Sequence, residues 1–266
     1  MEQHKMNNQQ SPVPGWVFPA LVKKELLEQF RTAQFLVACA VGLLFGIASP
    51  LAARYLPELM ELAGSDQGIQ ILIPEPTYRD SVGQFVKNFS QIGVLVAIFL
   101  YMGGFTREKE RGTLAFLKVK PVTPWAMLAA KVAAASVTLG LAMTLGTAVA
   151  LGYTWLFFGA FPWVDLVASG AVLALYLFIM AWLGIGISAV VQTQAVSGVL
   201  TLGLWFVGLL LAALPKLGRF SPTSLGQTAL NIGLGEQGDF AALLGAALVL
   251  ILIFGAALVK LRNWEG

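Results

Sequence analysis

The sequence predicts an all-helical integral membrane protein with six transmembrane helices, and two observations support that prediction. First, 57% of the 266 residues are hydrophobic, 12% are charged, and the mean hydropathy is +0.76, which is far outside the range of soluble domains. Second, six apolar runs reach the roughly 20 residues that a helix needs to cross a hydrocarbon core about 30 Å thick. They lie at 35–53, 82–105, 132–157, 166–191, 195–214 and 240–259 and form a transmembrane domain at 35–259.

The region before the first span divides into a tail and a helix. Residues 1–15 are polar and contain proline, without the apolar core and cleavage site of a signal peptide, so we expect a disordered cytoplasmic tail. Residues 16–34 place apolar side chains near one helical face and charged ones off it, which predicts an amphipathic helix in the membrane interface. A plain cytoplasmic start to the first span is the alternative. The apolar face consists of Phe18, Leu21, Leu26 and Phe30.

The basic residues predict the orientation of the spans. Six crossings put both termini on the same side, and 12 of the 17 lysine and arginine residues lie on that side. Because basic residues near the ends of spans stay in the cytoplasm, both termini are expected to be cytoplasmic, including the short C-terminus at 260–266. The strongest bias lies in the loop at 106–131, between spans 2 and 3.

That loop begins with the densest run of charge in the chain, "TREKERGTLAFLKVKP", in which seven residues are charged. Gly103 and Gly104 loosen the end of span 2, and Thr106 is suited to cap a short helix that runs to about Lys118. Pro121 cannot continue that helix. The sequence therefore predicts a short charged helix held between two spans.

The rest of the loop leads into span 3 and leaves its partner open. Thr123 and Pro124 offer an N-cap and an N1 proline, so the third transmembrane helix is expected to begin there. Leu114 and its apolar neighbours suit the groove of a cytoplasmic protein. The lysines of the same loop suit anionic lipid headgroups. Periodicity and charge alone do not choose between these two partners.

Two outer features and one packing motif complete the pattern. Thr77 and Asp80 form a capping box, so the helix of span 2 is expected to begin beyond the bilayer. Residues 221–235 contain a helix with an apolar stripe, either a re-entrant hairpin or a surface helix of the outer loop. Gly42 and Gly46 form a G-x-x-x-G pair, which favours close packing within the chain over a seam between two chains.

Several classes of function lack the residues that they need. The chain has no G-x-x-x-x-G-K-[ST] phosphate loop, and no lysine follows a glycine in it, so it is not expected to hydrolyse ATP itself. His4 and Cys39 are the single histidine and cysteine and cannot make a metal cluster. No span has an ionisable residue near its middle, as an ion-driven carrier normally does. We therefore expect no catalytic residue, metal or cofactor.

The run "EKERGTLAFLKVKPVTPWAMLAAK", which follows the second span and opens the third, resembles the signature of the ABC-2 family of ABC-transporter permeases. The layout is similar as well, with an N-terminal interfacial helix, six spans and a short basic C-terminus. Ala115 and Ala130 depart from the acidic residue and the glycine that are common at their positions. The matching positions are Glu108, Arg111, Gly112, Thr113, Leu114, Pro121 and Lys131.

The resemblance implies a type V exporter-like fold, in which the 106–131 loop carries a cytoplasmic coupling helix that sits in a groove of a separate ATPase subunit. That subunit would bind the ATP. The residues implied to contact the ATPase are Glu108, Arg111, Gly112, Thr113, Leu114 and Pro121.

The same resemblance implies the function and the partners. The chain would be the permease subunit of an ATP-binding-cassette exporter in the inner membrane of a bacterium or archaeon, forming the translocation path with a second permease chain as a homodimer. A periplasmic or extracellular accessory protein is compatible with this interpretation, and no nucleic acid is expected. The alternative, from another class, is a membrane scaffold or assembly protein without transport activity. A partner ATPase would separate the two.

Overall fold

Within residues 17–65, 75–113 and 122–263, which the computed structural model describes, the chain folds into ten α-helices and no strand. The helices are α1 (Val17–Arg31), α2 (Gln34–Ser65), α3 (Tyr78–Asn88), α4 (Val94–Tyr101), α5 (Thr106–Glu110), α6 (Pro124–Phe158), α7 (Trp163–Val190), α8 (Gln194–Ala212), α9 (Leu225–Gly233) and α10 (Ala242–Arg262). The predicted tail at 1–15 lies outside the described residues.

Six helical segments of this part of the chain are long and apolar enough to cross a membrane. They are Gln34–Leu56, Tyr78–Glu110, Pro124–Phe158, Trp163–Val190, Gln194–Ala212 and Ala242–Arg262. The predicted fold class, an all-helical protein with six transmembrane helices, is confirmed.

Local sequence signals determine where two of the spans begin. The Thr123 hydroxyl accepts a hydrogen bond from the Ala126 backbone N–H at 3.2 Å, and Pro124 opens α6, so the predicted cap and N1 proline are confirmed. The carboxylate of Asp80 accepts from the Thr77 backbone N–H at 2.8 Å, and the capping box predicted before α3 is confirmed. Such caps satisfy backbone donors that the first helical turn leaves unpaired.

α7 lies at the centre of the bundle, where it packs against α4, α6, α8, α9 and α10. Its core side chains include Leu173, Tyr176 and Ile185, each 1% exposed or less. α8 and α10 lie at the periphery and expose many apolar side chains, among them Val199, Leu210 and Ile251. Such helices suit a lipid environment or another apolar protein surface.

α2 and α6 approach each other backbone to backbone. A Cβ atom placed on Gly46 would lie 2.5 Å from the Gly146 carbonyl oxygen, and one on Gly42 would overlap the carbonyl oxygen of Ala142. Only glycine permits contacts this close. The G-x-x-x-G pair therefore packs within the chain, which is the arrangement that the sequence favoured.

α1 turns its polar side towards the bundle. Glu25 and Gln29 are buried against neighbouring helices, whereas Phe18, Leu27 and Phe30 are exposed. An amphipathic helix in a membrane interface would have this arrangement, with its apolar side chains free to meet lipid. A helix is present here, and the bundle buries Glu25 and Gln29 of its polar side, while its location in a membrane interface stays a prediction.

The helix of the second span contains a π-helical turn, Phe89–Gly93, between α3 and α4. Phe89 and Gly93 are buried in the bundle, while Gln91 is exposed. A π-helical turn inserts an extra residue into the helix and is frequently found at functional sites. Here it places Ser90 and Gln91 on the wall of a cavity described below.

Candidate functional site

The charged segment that follows the second span forms a separate short helix. The turn Met102–Phe105 interrupts the helix after α4, and α5 then runs from Thr106 to Glu110. The expectation that Thr106 caps this helix is wrong, because Phe105 takes the N-cap position and Thr106 is the first helical residue. Gly112 ends the segment with φ of +68°, a conformation that glycine adopts without strain.

Glu108 of α5 is joined to two other helices. Its Oε1 atom accepts from Lys24 Nζ of α1 at 2.7 Å and from Lys131 Nζ of α6 at 3.1 Å. Lys131 also donates to Glu25 Oε2 at 2.9 Å, and Lys24 donates to Glu25 Oε1 at 2.9 Å. The four side chains form a closed ring of ion pairs that fastens α5 to α1 and α6.

Lys109, the next residue, is joined to the C-terminal end of α7. Its Nζ atom donates to the backbone carbonyls of Ser188 at 3.1 Å, Ala189 at 2.6 Å and Val191 at 2.7 Å. The last carbonyls of a helix have no partner within the helix and carry its negative dipole end. A lysine ammonium satisfies both requirements, so Lys109 caps α7.

Arg107 and Glu110, on either side of Glu108 and Lys109, are bonded to the N-terminal end of α8. Glu110 Oε1 accepts from the backbone N–H of Gln194 at 2.9 Å, and Arg107 Nε donates to Gln194 Oε1 at 3.3 Å. A carboxylate is the charge that a helix N-terminus favours. α5 thus places a cation at the end of one transmembrane helix and an anion at the start of the next.

Four consecutive side chains, Arg107 to Glu110, therefore hold α1, α6, α7 and α8. We call these four residues with their bonding partners the α5 anchor. The anchor accounts for the density of charge in this segment, since every one of the four charges is bonded to another helix. A displacement of α5 must move these four helices or break the bonds that hold them.

A second polar layer lies beneath the ring of ion pairs. Gln29 Oε1 accepts from the Tyr101 hydroxyl at 3.1 Å and from the Thr138 hydroxyl at 2.5 Å. These bonds connect α1 to α4 and α6, deeper in the bundle. α1 is therefore held by directional polar contacts, which specify its position more sharply than apolar packing does.

The ion pairs shift the pKa values of the two α1 residues in the ring. Burial alone would raise the pKa of the Glu25 carboxyl, but the Lys131 and Lys24 ammonium groups hold it below its usual value. Burial alone would lower the pKa of Lys24, and the carboxylates of Glu25 and Glu108 raise it above its usual value. Both groups are therefore charged throughout the physiological pH range.

The carboxylates of Glu25, Glu28 and Glu108 lie within 4.8 Å of one another, a spacing at which they could bind a metal ion. Lys24 and Lys131 already donate to two of these three groups, and Lys24 Nζ lies 3.5 Å from Glu28. The two ammonium groups supply the positive charge that a bound cation would bring. The donor set is that of an ion-pair cluster and does not fit a metal.

The structure places the predicted ATPase-contacting residues in three groups. Glu108, which the resemblance implies to contact the ATPase, has a side chain that is only 8% exposed and bonds within the bundle. Arg111, Gly112 and Thr113 are exposed at the end of α5. Leu114 and Pro121 lie outside the described residues. Contact of any of these residues with an ATPase stays a prediction.

Sequence reasoning missed the partners of the anchor. Glu25 was not singled out, and Lys131 appeared only as part of a motif, although a lysine among alanines inside an apolar helix requires a counter-charge. Acidic residues that could pair with it were visible in α1 and α5. The pairing itself joins positions 106 and 23 residues apart, and periodicity within one helix cannot report such a contact.

At the opposite end of the bundle, a cavity of about 1000 Å³ lies between α3, the π-helical turn, α7, α8 and α9. Leu225 and Ala229 of α9 are fully buried against the bundle, as the re-entrant interpretation of this segment requires. The walls combine apolar side chains with polar ones, including Lys87, Gln91 and Tyr176. We call this space the α9 cavity.

Two helices connect the α9 cavity with the α5 anchor. Tyr176 and Ser188 lie on α7, twelve residues apart, and Trp205 and Gln194 lie on α8, eleven residues apart. At 1.5 Å per residue these separations are about 17–18 Å. The Trp205 indole N–H donates to the Tyr176 hydroxyl at 3.0 Å, so the two helices are bonded to each other at the cavity as well as through α5.

The fold and the two sites define a class: a helical membrane protein with six spans, a large cavity at one end and a short charged helix that holds several spans at the other. The family model for ABC-2 family transporter proteins matches residues 20–259, most of the chain. The chain therefore belongs to the ABC-2 transporter family, and the resemblance seen in the sequence is confirmed.

A relative supports the same assignment. The uncharacterized transmembrane protein YxlG of Bacillus subtilis (strain 168) is 24% identical over 227 residues, which cover 84% of this chain and 88% of that protein. The similarity thus extends over most of both chains. It supports a common membrane architecture.

Proposed function

We propose that this chain is the permease subunit of an ATP-binding-cassette exporter and that α5 is the helix on which a separate ATPase subunit acts. Membership of the ABC-2 transporter family makes the chain a component of membrane transport. The observation that supports the finer proposal is the α5 anchor, in which four consecutive charges hold four helices. A short helix that only bordered the membrane would not need such bonds.

The α5 anchor can transmit a displacement from one end of the bundle to the other. The exposed residues Arg111 to Thr113 are the part of the α5 segment that a partner can reach. A push on them passes through Lys109 to α7 and through Glu110 to α8. Both helices continue to the α9 cavity, whose shape therefore responds to the position of α5. The partner binds and hydrolyses ATP and thereby moves α5 between two positions.

The proposal also assigns orientation and assembly. The α5 end of the bundle faces the cytoplasm, where ATP is available, and the α9 cavity opens towards the outside. Both termini are cytoplasmic, and the membrane is the inner membrane of a prokaryote. A second permease chain packs on the exposed apolar sides of the peripheral helices and completes the translocation path.

The test uses the one arginine of this segment that is exposed at the tip of α5. The variant R111E, co-expressed with an ATP-binding-cassette ATPase encoded beside the permease, is expected to recover about tenfold less ATPase on purification than the wild type, as loss of an interfacial charge pair implies. Its unfolding midpoint in detergent should equal that of the wild type, since Arg111 makes no ion pair within the described residues.

A matched control is R262E, which reverses a charge exposed at the end of α10 on the same side of the bundle. This variant is expected to recover the ATPase normally. Normal recovery with R111E would count against the assignment of α5. A chain that recovers no ATPase in any form, yet recruits other membrane proteins, would be the scaffold considered from the sequence.

A further inference from the structure

The α9 cavity carries a charge that its own walls do not balance. Its ionisable lining residues within the described part of the chain are Lys87, Arg219 and Asp239. Arg219 Nε lies 3.4 Å from Asp239 Oδ2, so these two neutralise each other. Lys87 has no carboxylate within ion-pair distance among the described residues. The walls therefore leave one positive charge uncompensated.

Lys87 is exposed and lines the cavity in the outer part of the second span. It lies fifteen residues before Met102, where the helix of the second span is interrupted, which is about 22 Å along the helix. A hydrocarbon core about 30 Å thick would place Lys87 in its outer part. Ionisable residues at such depth face a water-filled cavity and mark a ligand or ion pathway.

Neutral donors accompany the charge. Tyr176 lines the cavity although its side chain is only 1% exposed. Its hydroxyl accepts from Trp205 and has no acceptor for its own hydrogen among the described residues. The π-helical turn presents the exposed side chain of Gln91, whose amide adds two more donors. An ammonium, a phenol and an amide that line one space together suit an oxygen-rich anion.

The remaining wall is polar in part, at residues such as Thr223 and Asn231, and apolar along α8. Val86 of α3 and Leu209 and Ala212 of α8 line the same cavity, so a ligand that fills it exposes an apolar part to them. A small inorganic anion would leave this surface uncovered. A volume of about 1000 Å³ is at the upper end of the range for sites that take small molecules.

We propose that the α9 cavity binds an amphiphile with a single anionic headgroup, a phosphate ester or carboxylate, whose headgroup pairs with Lys87 and whose apolar part lies against α8. The identification of this ligand as the transported molecule rests on the proposed function. Its binding does not, because the cavity is formed by this chain alone. The pairing would supply a counter-charge that none of the described residues gives to Lys87.

The test measures binding to the purified permease without any ATPase, by native mass spectrometry with phosphatidylglycerol, phosphatidylcholine and oleate as probes. Phosphatidylglycerol or oleate should bind more tightly than phosphatidylcholine, whose headgroup carries no net charge. The variant K87Q should weaken the binding of the anionic probe about tenfold, the loss expected when hydrogen bonds to a charged group are removed.

Two control variants separate charge from folding. K216Q removes an exposed lysine of the neighbouring loop that does not line the cavity and should bind like the wild type. K87R keeps the charge and should bind within about threefold of the wild type. A K87Q chain that fails to fold leaves the K87R and K216Q comparison and the order of the three probes as the test.

The source of the headgroup follows from which probe binds. Binding of phosphatidylglycerol alone indicates a membrane lipid, binding of oleate alone indicates a free single-chain anion, and binding of both indicates recognition of the charge itself. Equal affinity for phosphatidylcholine, or unchanged affinity in K87Q, would overturn the proposal. Since no ATPase is present, the result is independent of whether R111E loses its partner.

Discussion

Single side chains determine how firmly α1 is held to the bundle, and Glu25 is the clearest case. It accepts from both Lys24 and Lys131 at 2.9 Å, and it is buried although it belongs to a helix whose apolar residues are exposed. A buried ion pair contributes little net stability when it forms, but removing one of its partners is strongly destabilising, because the other charge is then buried without a partner. The ring therefore acts as a specific fastening between α1, α5 and α6.

This pairing predicts how the stability of the protein depends on pH. The pKa of Glu25 is below its usual value of about 4.3, so its stabilisation is fully present above that value and is lost as the pH falls through the lower folded value. The raised pKa of Lys24 keeps its stabilisation fully present below about pH 10.4. E25Q should lower the free energy of unfolding by about 2 kcal/mol, and this difference should be constant from about pH 5.5 to 9 and shrink below about pH 4.

The measurement is denaturant unfolding of the purified protein in detergent at a series of pH values. E28Q is the matched control, because Glu28 lies on the same helix and its single ion pair with Lys24, at 3.5 Å, is partly exposed. It should cost less than about 0.5 kcal/mol. A wild-type to E25Q difference that varied between pH 6 and 8 would show that another titrating group controls the ring.

At this scale the sequence predicted the wrong surroundings for Glu108 and overlooked Glu25. Exposure of a side chain near the end of a span depends on which other helices arrive there, and neither composition nor periodicity contains that information. Arg111, Gly112 and Thr113 are exposed, since they follow the last bonded residue of α5, and their contact with an ATPase stays a prediction.

Among the contacts between helices, the close packing of α2 on α6 depends on glycine. In G46A, the added Cβ would lie 2.5 Å from the Gly146 carbonyl oxygen and 3.1 Å from Val149 Cβ, so the helices must separate. We expect a loss of about 1–3 kcal/mol in the free energy of unfolding, measured by SDS-induced unfolding in mixed micelles. The size of any oligomer should not change, because this contact is within one chain.

The control for that variant lies on α6 itself. A Cβ on Gly152 has no atom within 4 Å, so G152A should leave stability unchanged or raise it by up to about 1 kcal/mol through helix propensity. If G46A instead dissociated an oligomer without destabilising the chain, the glycine pair would belong to a seam between chains.

Elements with local signals were predictable and elements defined by tertiary contacts were not. The starts of α3 and α6 followed from Thr77 with Asp80 and from Thr123 with Pro124, because a cap is made by residues within one turn of each other. The π-helical turn at Phe89–Gly93 has no such signature. Its extra residue is held by packing against neighbouring helices, which the sequence pattern of a continuous apolar span conceals.

At the level of the whole molecule, α7 and α8 join two distinct ends of the bundle. The α5 anchor holds α7 and α8 at one end, and the α9 cavity lies between the same helices at the other. The six spans were predicted from hydropathy, and the placement of both termini on the same side of the membrane was predicted from the basic residues. The volume and lining of the cavity depend on how the spans pack, so they required the structure.

The orientation of these two ends is open to direct measurement. In a chain carrying Cys39→Ala, a cysteine introduced as Gln227→Cys, at an exposed position of α9, should react in intact cells with a membrane-impermeant maleimide. One introduced as Arg111→Cys should react only after the membrane is permeabilised, because the basic residues place that end in the cytoplasm. Labelling of the Arg111→Cys variant in intact cells would reverse the proposed topology.

The α5 anchor also limits insertions and deletions in the segment that forms it. Arg107 and Glu110 bond to Gln194, Glu108 bonds to two lysines, and Lys109 bonds to the end of α7. A residue gained or lost within the run would rotate the following side chains by about 100° around the helix. Every later charge would then face the wrong partner at once. Substitutions can be repaired singly, whereas an insertion or deletion here cannot, so the distance from Gly104 to Gly112 is under stronger constraint than the identity of the residues between them.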